Sequence, residues 1–339
     1  MMKKKMEDEI MEYSLRHHYL REHSEEFYIL KHHDTLFVYD YDHHLIGQIR
    51  KRNMLAVQVS NDNQVVYFSQ SNKKYFYLWH VYENKLIKVK YTELKDSDIQ
   101  NIYEDDDNIY VFHHGFNKNG SNYAISTINK KTLISKENFL DEEEYGYPEC
   151  FLNVSGQIYY SSLKFSDTSY GNYFIYAQKD NNSEKVLETS YLNDPILKIT
   201  DDGKYALLSS VHSMTSNGEI KVFDFKNYEQ IDKITFYHIA LYRIIANFFE
   251  FNGQVYIIYQ ANPWMCEIKK EVWHTYVYSI SEKKIIHEIP YSFSLKYIRS
   301  KKILVMEKNR PRKEARFYNN VDESQGIEWI IKELSKKSN

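Results

Sequence analysis

The sequence has few residues of the kinds that mark disulfide-bonded, zinc-binding or membrane-spanning proteins. Its only cysteines, Cys150 and Cys266, are far apart and in no metal-ligand spacing, so neither a disulfide framework nor a zinc site is indicated. No stretch approaches the roughly 18 apolar residues of a membrane span, and the N-terminus lacks the apolar segment of a signal peptide. We therefore expect a soluble, cytoplasmic protein with reduced thiols and no membrane contact.

Local motifs for catalysis and cofactor binding are also missing. The sequence contains no glycine-rich phosphate loop, nucleophile elbow, HExxH pair or kinase signature. Its formal net charge is −3, from 44 basic and 47 acidic residues, so it lacks the positive field that non-specific nucleic-acid binding uses. These absences favour a protein without cofactor or metal, argue against a nucleic-acid partner and lower the expectation of an enzyme.

Glycine and proline are scarce, whereas aromatic residues are abundant. The chain has 10 glycines and 5 prolines but 32 tyrosines and 18 phenylalanines. Aromatic and β-branched side chains suit the half-buried, pleated surface of a sheet. The composition therefore predicts a predominantly β structure.

A turn followed by a short apolar run recurs along the chain at nearly constant spacing. The second residues of the six turns lie 45 to 50 positions apart, and a strand repeat of about this length is the signature of a β-propeller. These residues are Asn63, Asn108, Gly156, Gly203, Gly253 and Lys301. We expect them in equivalent turns between the first and second strands of successive blades.

The strand pattern predicts an all-β, seven-bladed propeller of four-stranded antiparallel blades. We name the strands of each blade a to d, from the centre outward. The first blade lacks a recognisable strand a, and the seventh lacks a recognisable strand d. We assign residues 1–25 to a short N-terminal arm or helix, 26–321 to the propeller and 322–339 to a segment that closes or caps it.

One stretch resembles a WD40-like repeat. It combines the Asp202-Gly203 turn, the strand after it, and a later strand that ends in Phe223 and Asp224. The glycine-histidine and tryptophan-aspartate signatures of true WD40 repeats are absent from every blade. The resemblance concerns architecture over most of residues 27 to 320, and it implies a scaffold rather than an activity.

The predicted b–c connections are longer than the a–b turns. In an antiparallel blade, the connections from strand b to strand c and from strand d to the next strand a emerge on the same face of the ring. Long insertions that gather on one face usually mark a binding surface. We expect this face to bind a protein partner or a small ligand, because aromatic residues, Met and Arg are enriched in interfaces. The predicted site residues are Trp264, Phe165, His212, Arg310, Tyr170, His114, Phe116 and Met265, with His113 nearby.

Two alternative functions remain open from the sequence. A propeller hydrolase or lyase would gather polar groups at the mouth of the central channel, and the starts of predicted inner strands supply Asp98, Glu149, Asp194 and Arg243. A sialidase-like protein is disfavoured because the repeated Ser-x-Asp-x-Gly-x-x-Trp box of that family has no good copy.

Histidine doublets and acidic runs offer weak metal signals. Adjacent strand residues point to opposite faces, so a doublet such as His43-His44 is poorly placed to chelate one ion. The acidic runs at residues 104–107 and 141–144 lack the spacing of a calcium loop and are interpreted as solvated loops.

Overall fold

The coordinates are a computed structural model of the chain. It describes residues 12–336, except 17–18, 119, 141–146, 155–156, 165–171, 180–181, 190–195, 201, 212–217, 237–240, 264–273, 290–292 and 309–313.

The described strands form seven four-stranded antiparallel sheets. Blade 1 contains β2 (Tyr19–His23), β3 (Phe27–His32), β4 (Thr35–Asp40) and β5 (Leu45–Arg50), and blade 2 contains β6 (Met54–Val59), β7 (Val65–Gln70), β8 (Tyr75–His80) and β9 (Lys85–Lys90). Blade 3 contains β10 (Lys95–Glu104), β11 (Asn108–Asn117), β12 (Gly120–Asn129) and β13 (Ser135–Leu140), and blade 4 contains β14 (Tyr147–Val154), β15 (Gln157–Lys164), β16 (Asn172–Lys179) and β17 (Asn182–Thr189). Blade 5 contains β18 (Ile196–Ile199), β19 (Tyr205–Val211), β20 (Gly218–Asp224) and β21 (Glu229–Phe236), and blade 6 contains β22 (Leu241–Phe251), β23 (Gln254–Pro263), β24 (His274–Ser279) and β25 (Lys284–Ile289). Blade 7 contains β26 (Phe293–Ile298), β27 (Ile303–Lys308), β28 (Glu314–Tyr318) and β1 (Glu12–Arg16).

The blades form a ring. Their innermost strands contact one another in sequence order from β2 to β26, and β2 contacts β28 of the last blade. The predicted all-β, seven-bladed propeller with WD40-like architecture is therefore confirmed.

The N-terminal strand closes the ring. Strand β1 pairs antiparallel with β28, with Glu12 opposite Tyr318 and Arg16 opposite Glu314, so β1, the first strand that the structure describes, is strand d of the last blade. A repeat array needs such closure because each blade buries its faces only against its neighbours.

The expected N-terminal arm or helix is wrong for residues 12–16 and 19–23. Strand β2 pairs with β3 and supplies the innermost strand that blade 1 lacks in the sequence pattern. Both segments are rich in charged residues, and their strand conformation follows from pairing with strands far along the chain rather than from local alternation.

The predicted a–b turns of blades 2 and 5 share one hydrogen-bonding pattern. The hydroxyl of Ser60 donates to Asp62 Oδ1 at 2.6 Å, and Thr200 donates to Asp202 in the same way, also at 2.6 Å. The residue after each Asp, Asn63 or Gly203, has a positive φ of 59° or 66°. The same polar side chains thus fold both turns, on the same face of the ring.

Among the remaining predicted turns, the one at Gly253 lies where expected, and the one at Lys301 is shifted by one residue. Asn252 and Gly253 both have positive φ and form the two-residue loop between β22 and β23. In blade 7 the left-handed residue is Lys302 rather than Lys301. Asn108 is the first residue of β11, after a turn at 105–107, and Gly156 lies outside the described residues.

Apolar side chains fill the spaces between neighbouring blades. Phe27, Val38, Phe68 and Trp79, for example, lie in one cluster between blades 1 and 2. The C-terminal segment forms helix α1 (Gly326–Lys336), whose Ile330 and two neighbouring isoleucines pack into the core of blades 6 and 7. Within the described ranges, no helix has the length and apolar character needed to cross a membrane.

Candidate functional site

Most of the predicted site residues lie outside the described part of the chain. We call the end of the ring with the b–c and d–a connections the b–c face, and the opposite end the a–b face. The strands before and after the predicted site residues meet the b–c face; in blade 6, for example, β23 ends there and β24 begins there. The residues outside the description are Trp264, Met265, Phe165, Tyr170, His212 and Arg310.

The two described site residues lie together on a long hairpin of blade 3. His114 and Phe116 alternate along β11, so both point to the same side of the sheet, and Tyr123 of β12 pairs with His114. The His114 ring centroid lies 6.0 Å from that of Phe116 and 5.7 Å from that of Tyr123. Phe116 is 47% exposed. We call His114, Phe116 and Tyr123 the blade-3 aromatic cluster.

This hairpin is longer than the predicted strands. Residues 114–121 are expected to be a loop, but β11 continues to Asn117 and β12 begins at Gly120. Both strands have ten residues, against six in β7 and β8 of blade 2, and the additional length lies at the b–c end. The ladder of backbone hydrogen bonds therefore presents Phe116 on a paired strand rather than on a loop.

Gly115 fixes the base of the hairpin against the connection from blade 2. A Cβ atom at this position would lie 2.8 Å from Leu94 Cβ and 3.0 Å from the Lys95 carbonyl oxygen. Only glycine permits this close approach of two backbones. Gly115 thus holds the blade-3 aromatic cluster in a defined position.

His113, predicted on the binding face, is instead buried. Its side chain points to the opposite side of β11 from that of His114, and only 1% of its surface is exposed. Its Nε2 lies 2.8 Å from Ser126 Oγ, and its Nδ1 lies 3.3 Å from Ser97 Oγ. Burial, with a smaller effect of the nearby His114, lowers the pKa of His113 to about 3. The imidazole is therefore neutral at pH 7.

The hydrogen bonds around His113 tie three segments together. Ser126 donates to the backbone carbonyl of Tyr91 at 2.7 Å, and the Tyr91 hydroxyl donates to Ser97 at 3.0 Å. Glu137 Oε1 lies 3.5 Å from His113 Nε2 and accepts a hydrogen bond from Thr92. Because Ser97, His113 and Ser126 are buried, this network supports the hairpin and offers no accessible nucleophile.

Only one of the four polar residues proposed for the channel mouth has a described side chain. Asp98 Oδ1 accepts a hydrogen bond from the backbone N–H of Asn72 at 2.7 Å, which links strand a of blade 3 to the b–c turn of blade 2. The backbones of Glu149 and Arg243 lie in β14 and β22, but their side chains and all of Asp194 lie outside the description. Asp98 therefore stabilises the contact between blades 2 and 3.

One of the acidic residues assigned to a solvated loop is buried. Glu104 accepts hydrogen bonds from the Tyr67 hydroxyl and from the backbone N–H of Asn61, and its Oε2 lies 3.0 Å from Lys130 Nζ. This carboxylate joins blades 2 and 3 at the a–b face. Its partners come from distant turns, so the local run of acidic residues does not reveal it.

Asp40, Asp42 and His44 place possible metal ligands within 4.8 Å of one another. They belong to the c–d turn of blade 1, and Asp40 Oδ1 accepts hydrogen bonds from the backbone N–H groups of Asp42 and His44. Such bonds are the usual way in which Asp stabilises a turn. This geometry is explained by the turn and carries no metal assignment.

A cavity of about 540 Å³ occupies the central channel. Every lining residue except Val305 lies on, or directly after, an innermost strand of blade 1, 5, 6 or 7. His23, Thr200, Glu250 and Arg299 belong to the ends of these strands, so the cavity lies toward the a–b face. We call it the channel cavity.

Basic groups outnumber acidic ones in the walls of the channel cavity. Lys198, Lys296 and Arg299 line it together with Glu250. Arg299 Nε donates to Glu323 Oε1 at 2.8 Å. The pKa of His23 is lowered to about 3, mainly by burial and to a smaller extent by the positive charge of Lys296. His23 is therefore neutral at pH 7. The charge around the cavity comes from Lys198, Lys296, Arg299 and Glu250, and from Glu22 and Glu323, which pair with Lys296 and Arg299.

These features define a seven-bladed β-propeller with a projecting aromatic hairpin on one face and the channel cavity toward the other. No family model and no curated protein sequence matches the chain. The class of protein is thus given by the fold alone.

Solved structures of several propellers are similar to this chain. The β-propeller domain of Myceliophteria thermophila Cps50 (Swd1) is 10% identical, with 91% of this chain and 98% of that chain covered and a TM-score of 0.57. Kluyveromyces lactis Hsv2 is 11% identical, with 86% and 90% covered and a TM-score of 0.54. Hydrazine synthase of Kuenenia stuttgartiensis is 12% identical, with 76% and 74% covered and a TM-score of 0.53. These similarities establish the fold, which serves proteins of different function.

Proposed function

We propose that the protein is a non-catalytic binding propeller that presents its b–c face to a protein partner. The observation that carries this proposal is the exposed Phe116, held by a paired hairpin beside His114 and Tyr123. Aromatic residues, phenylalanine among them, are enriched at the cores of protein interfaces. The network around His113 supports the hairpin from below, so little ordering entropy would be lost on binding.

A protein partner fits this geometry better than a small ligand does. Small ligands bind in concave pockets that bury most of their surface. Phe116 instead lies almost at the end of a ten-residue strand that is longer than those of blade 2, with nearly half of its surface exposed. The predicted residues Trp264, Phe165, His212 and Arg310 belong to chain segments that leave and return at the same face. We propose that they widen the interface around Phe116.

The alternative of a hydrolase or lyase at the channel has less support. A general base works best when its pKa is near the operating pH. His23 is the titratable imidazole of the channel cavity, and its pKa of about 3 makes it a weak base at pH 7. The cavity also lies toward the a–b face, opposite the inner-strand starts at which catalytic groups are predicted.

Quantitative affinity capture from a lysate of the source organism tests the proposal. The immobilised bait proteins are wild type, Phe116→Ala, Trp264→Ala and a control, Tyr82→Ala. Tyr82 is a matched control because it is 51% exposed and lies in the c–d turn of blade 2, on the a–b face.

We expect the proteins captured by wild type to be depleted with Phe116→Ala and with Trp264→Ala but retained with Tyr82→Ala. With a purified partner, the loss on Phe116→Ala should be about 2 kcal/mol, or roughly 30-fold in Kd. Equal capture by wild type and Phe116→Ala, with loss on Tyr82→Ala, would place the interface on the a–b face and overturn the proposal.

A further inference from the structure

The channel cavity is a second site, separate from the proposed protein interface. Its volume of about 540 Å³ falls within the range of ordinary small-molecule pockets. It lies toward the a–b face, whereas the blade-3 aromatic cluster lies on the b–c face. What it binds therefore does not depend on the function proposed above.

Two lysines approach the cavity from blades on either side of blade 6. Lys198 comes from β18 of blade 5 and Lys296 from β26 of blade 7, and Asn247 of β22 lies on the blade between them. In the described part of the chain, Lys198 has no carboxylate within 4.0 Å. The recorded ion pair of Lys296, with Glu22, is long at 3.9 Å, and its side chain is 47% exposed. Such a pair contributes little, so both ammonium groups can serve a ligand.

The imidazole of His23 adds no charge to this wall. Burial lowers its pKa to about 3, so it is neutral at pH 7 and does not attract or repel an anion. Its Nε2 is shielded from solvent, and therefore also from a ligand in the cavity.

Apolar groups complete the cavity. Ile199, Phe248, Leu295 and the ring of Tyr297 line it beside the polar groups. The Tyr297 hydroxyl is engaged, because it donates to the Val321 carbonyl oxygen at 3.0 Å. The walls thus combine these apolar groups with a larger share of polar surface, which suits a charged ligand rather than an apolar one.

We propose that the channel cavity binds a small organic anion with at least two anionic oxygens. The anionic oxygens contact Lys198 and Lys296, with the Asn247 amide as an additional donor. Carboxylate and phosphate groups present the same charged oxygens to an ammonium group, so both are tested.

Isothermal titration calorimetry in a phosphate-free, low-salt buffer at pH 7.5 distinguishes the two sources of charge. Citrate probes hydroxycarboxylates, glucose 6-phosphate probes hydroxylated phosphates, and glucose is the uncharged control. The proteins are wild type, Lys198→Met, Lys296→Met and Lys226→Met, whose lysine is exposed in the c–d turn of blade 5. Methionine keeps most of the side-chain volume and removes the charge. Thermal melting checks that each variant is folded.

We expect saturable one-to-one binding of citrate or glucose 6-phosphate, no binding of glucose, and weaker binding as salt rises. Lys198→Met and Lys296→Met should each lower the affinity at least tenfold, whereas Lys226→Met should leave it unchanged. The proposal is overturned if neither anion binds to wild type, or if the folded Lys198→Met and Lys296→Met proteins bind as tightly as wild type. Because Lys296 is half exposed, its variant keeps the test decisive even where Lys198→Met does not fold.

Discussion

Tyr28 of the first blade and Phe317 of the last blade pack against each other with ring centroids 4.5 Å apart. Neither residue exposes any surface, and both belong to the apolar cluster at the seam where the ring closes. Ring closure therefore has two components: the backbone pairing of β1 with β28 and a buried aromatic contact between blades.

Phe317→Ala should strongly destabilise the propeller. Removing a buried phenylalanine side chain costs about 3–5 kcal/mol, because transfer energy is lost and a cavity remains. The free energy of unfolding from urea titrations measures this cost. Phe116→Ala removes the same atoms from an exposed site and should change that free energy by less than about 1 kcal/mol. Similar losses in both variants would contradict the burial of Phe317.

Removal of the closing strand should destabilise the ring and promote self-association. A chain beginning at residue 17 leaves the edge of β28 unpaired, and an unpaired edge is a template for pairing with another chain. We expect a loss on the order of 3 kcal/mol, from a few backbone hydrogen bonds that contribute about 0.5–1.5 kcal/mol each. Urea titration and analytical ultracentrifugation measure the two effects. A chain beginning at residue 12 keeps β1 and is the control, and equal behaviour of both chains would contradict closure by β1.

Gly203→Val should cost more stability than Gly253→Val. Both glycines have positive φ, which a β-branched residue adopts only with strain of about 1–3 kcal/mol. A Cβ atom at Gly203 would also lie 3.1 Å from Val154 Cγ1, whereas one at Gly253 meets no atom within 4 Å. Thermal melts of both variants, with Lys118→Val as control, give the order. Gly203→Asn should cost less than Gly203→Val, since Asn63 adopts the same positive φ in blade 2, although its Cβ keeps the close contact with Val154. Equal midpoints for all four variants would show that these turns are not strained.

The stability of the protein should decrease below about pH 6.5, in part because of His113. Its pKa is about 3 in the folded state and near 6.5 in the unfolded state, so the unfolded chain binds a proton that the native protein excludes. The stabilising contribution of neutral His113 is present above pH 6.5 and is lost as the pH falls, by at most about 1.4 kcal/mol per pH unit.

His113→Gln isolates this contribution. The variant should be less stable than wild type at pH 7.5, because the hydrogen bonds to Ser97 and Ser126 are altered, but its stability should fall less steeply between pH 6.5 and pH 4.5. Urea titrations at several pH values provide the comparison. Parallel pH profiles for the two proteins would show that His113 is not held neutral by the fold.

The repeated turns made the blades predictable from the sequence, because each depends on residues close together in the chain. Asn63, Gly203 and Gly253 adopt the positive φ that their turns require. Strands β1 and β2 could not be predicted in this way. Their charged segments have no clear alternation, and their pairing depends on partners such as β28 at the other end of the chain.

The candidate site was predictable only in part, for a related reason. Alternation along a strand shows that His113 and His114 face opposite sides, but it does not show which side the next blade covers. The long b–c connections predict which face binds, and Phe116 is exposed on that face. The channel cavity was not predicted, because its residues come from inner strands of four blades and share no local motif.

Closure by β1 also sets the order of events during protein synthesis. Strand β1 leaves the ribosome long before β28, the strand with which it pairs. At about 5–20 residues per second, roughly 15 to 60 s separate the synthesis of residue 12 from that of residue 318. During this time β1 has no native partner, and the incomplete array exposes apolar edges. A nascent chain of this protein would therefore expose this apolar surface until its last blade emerges.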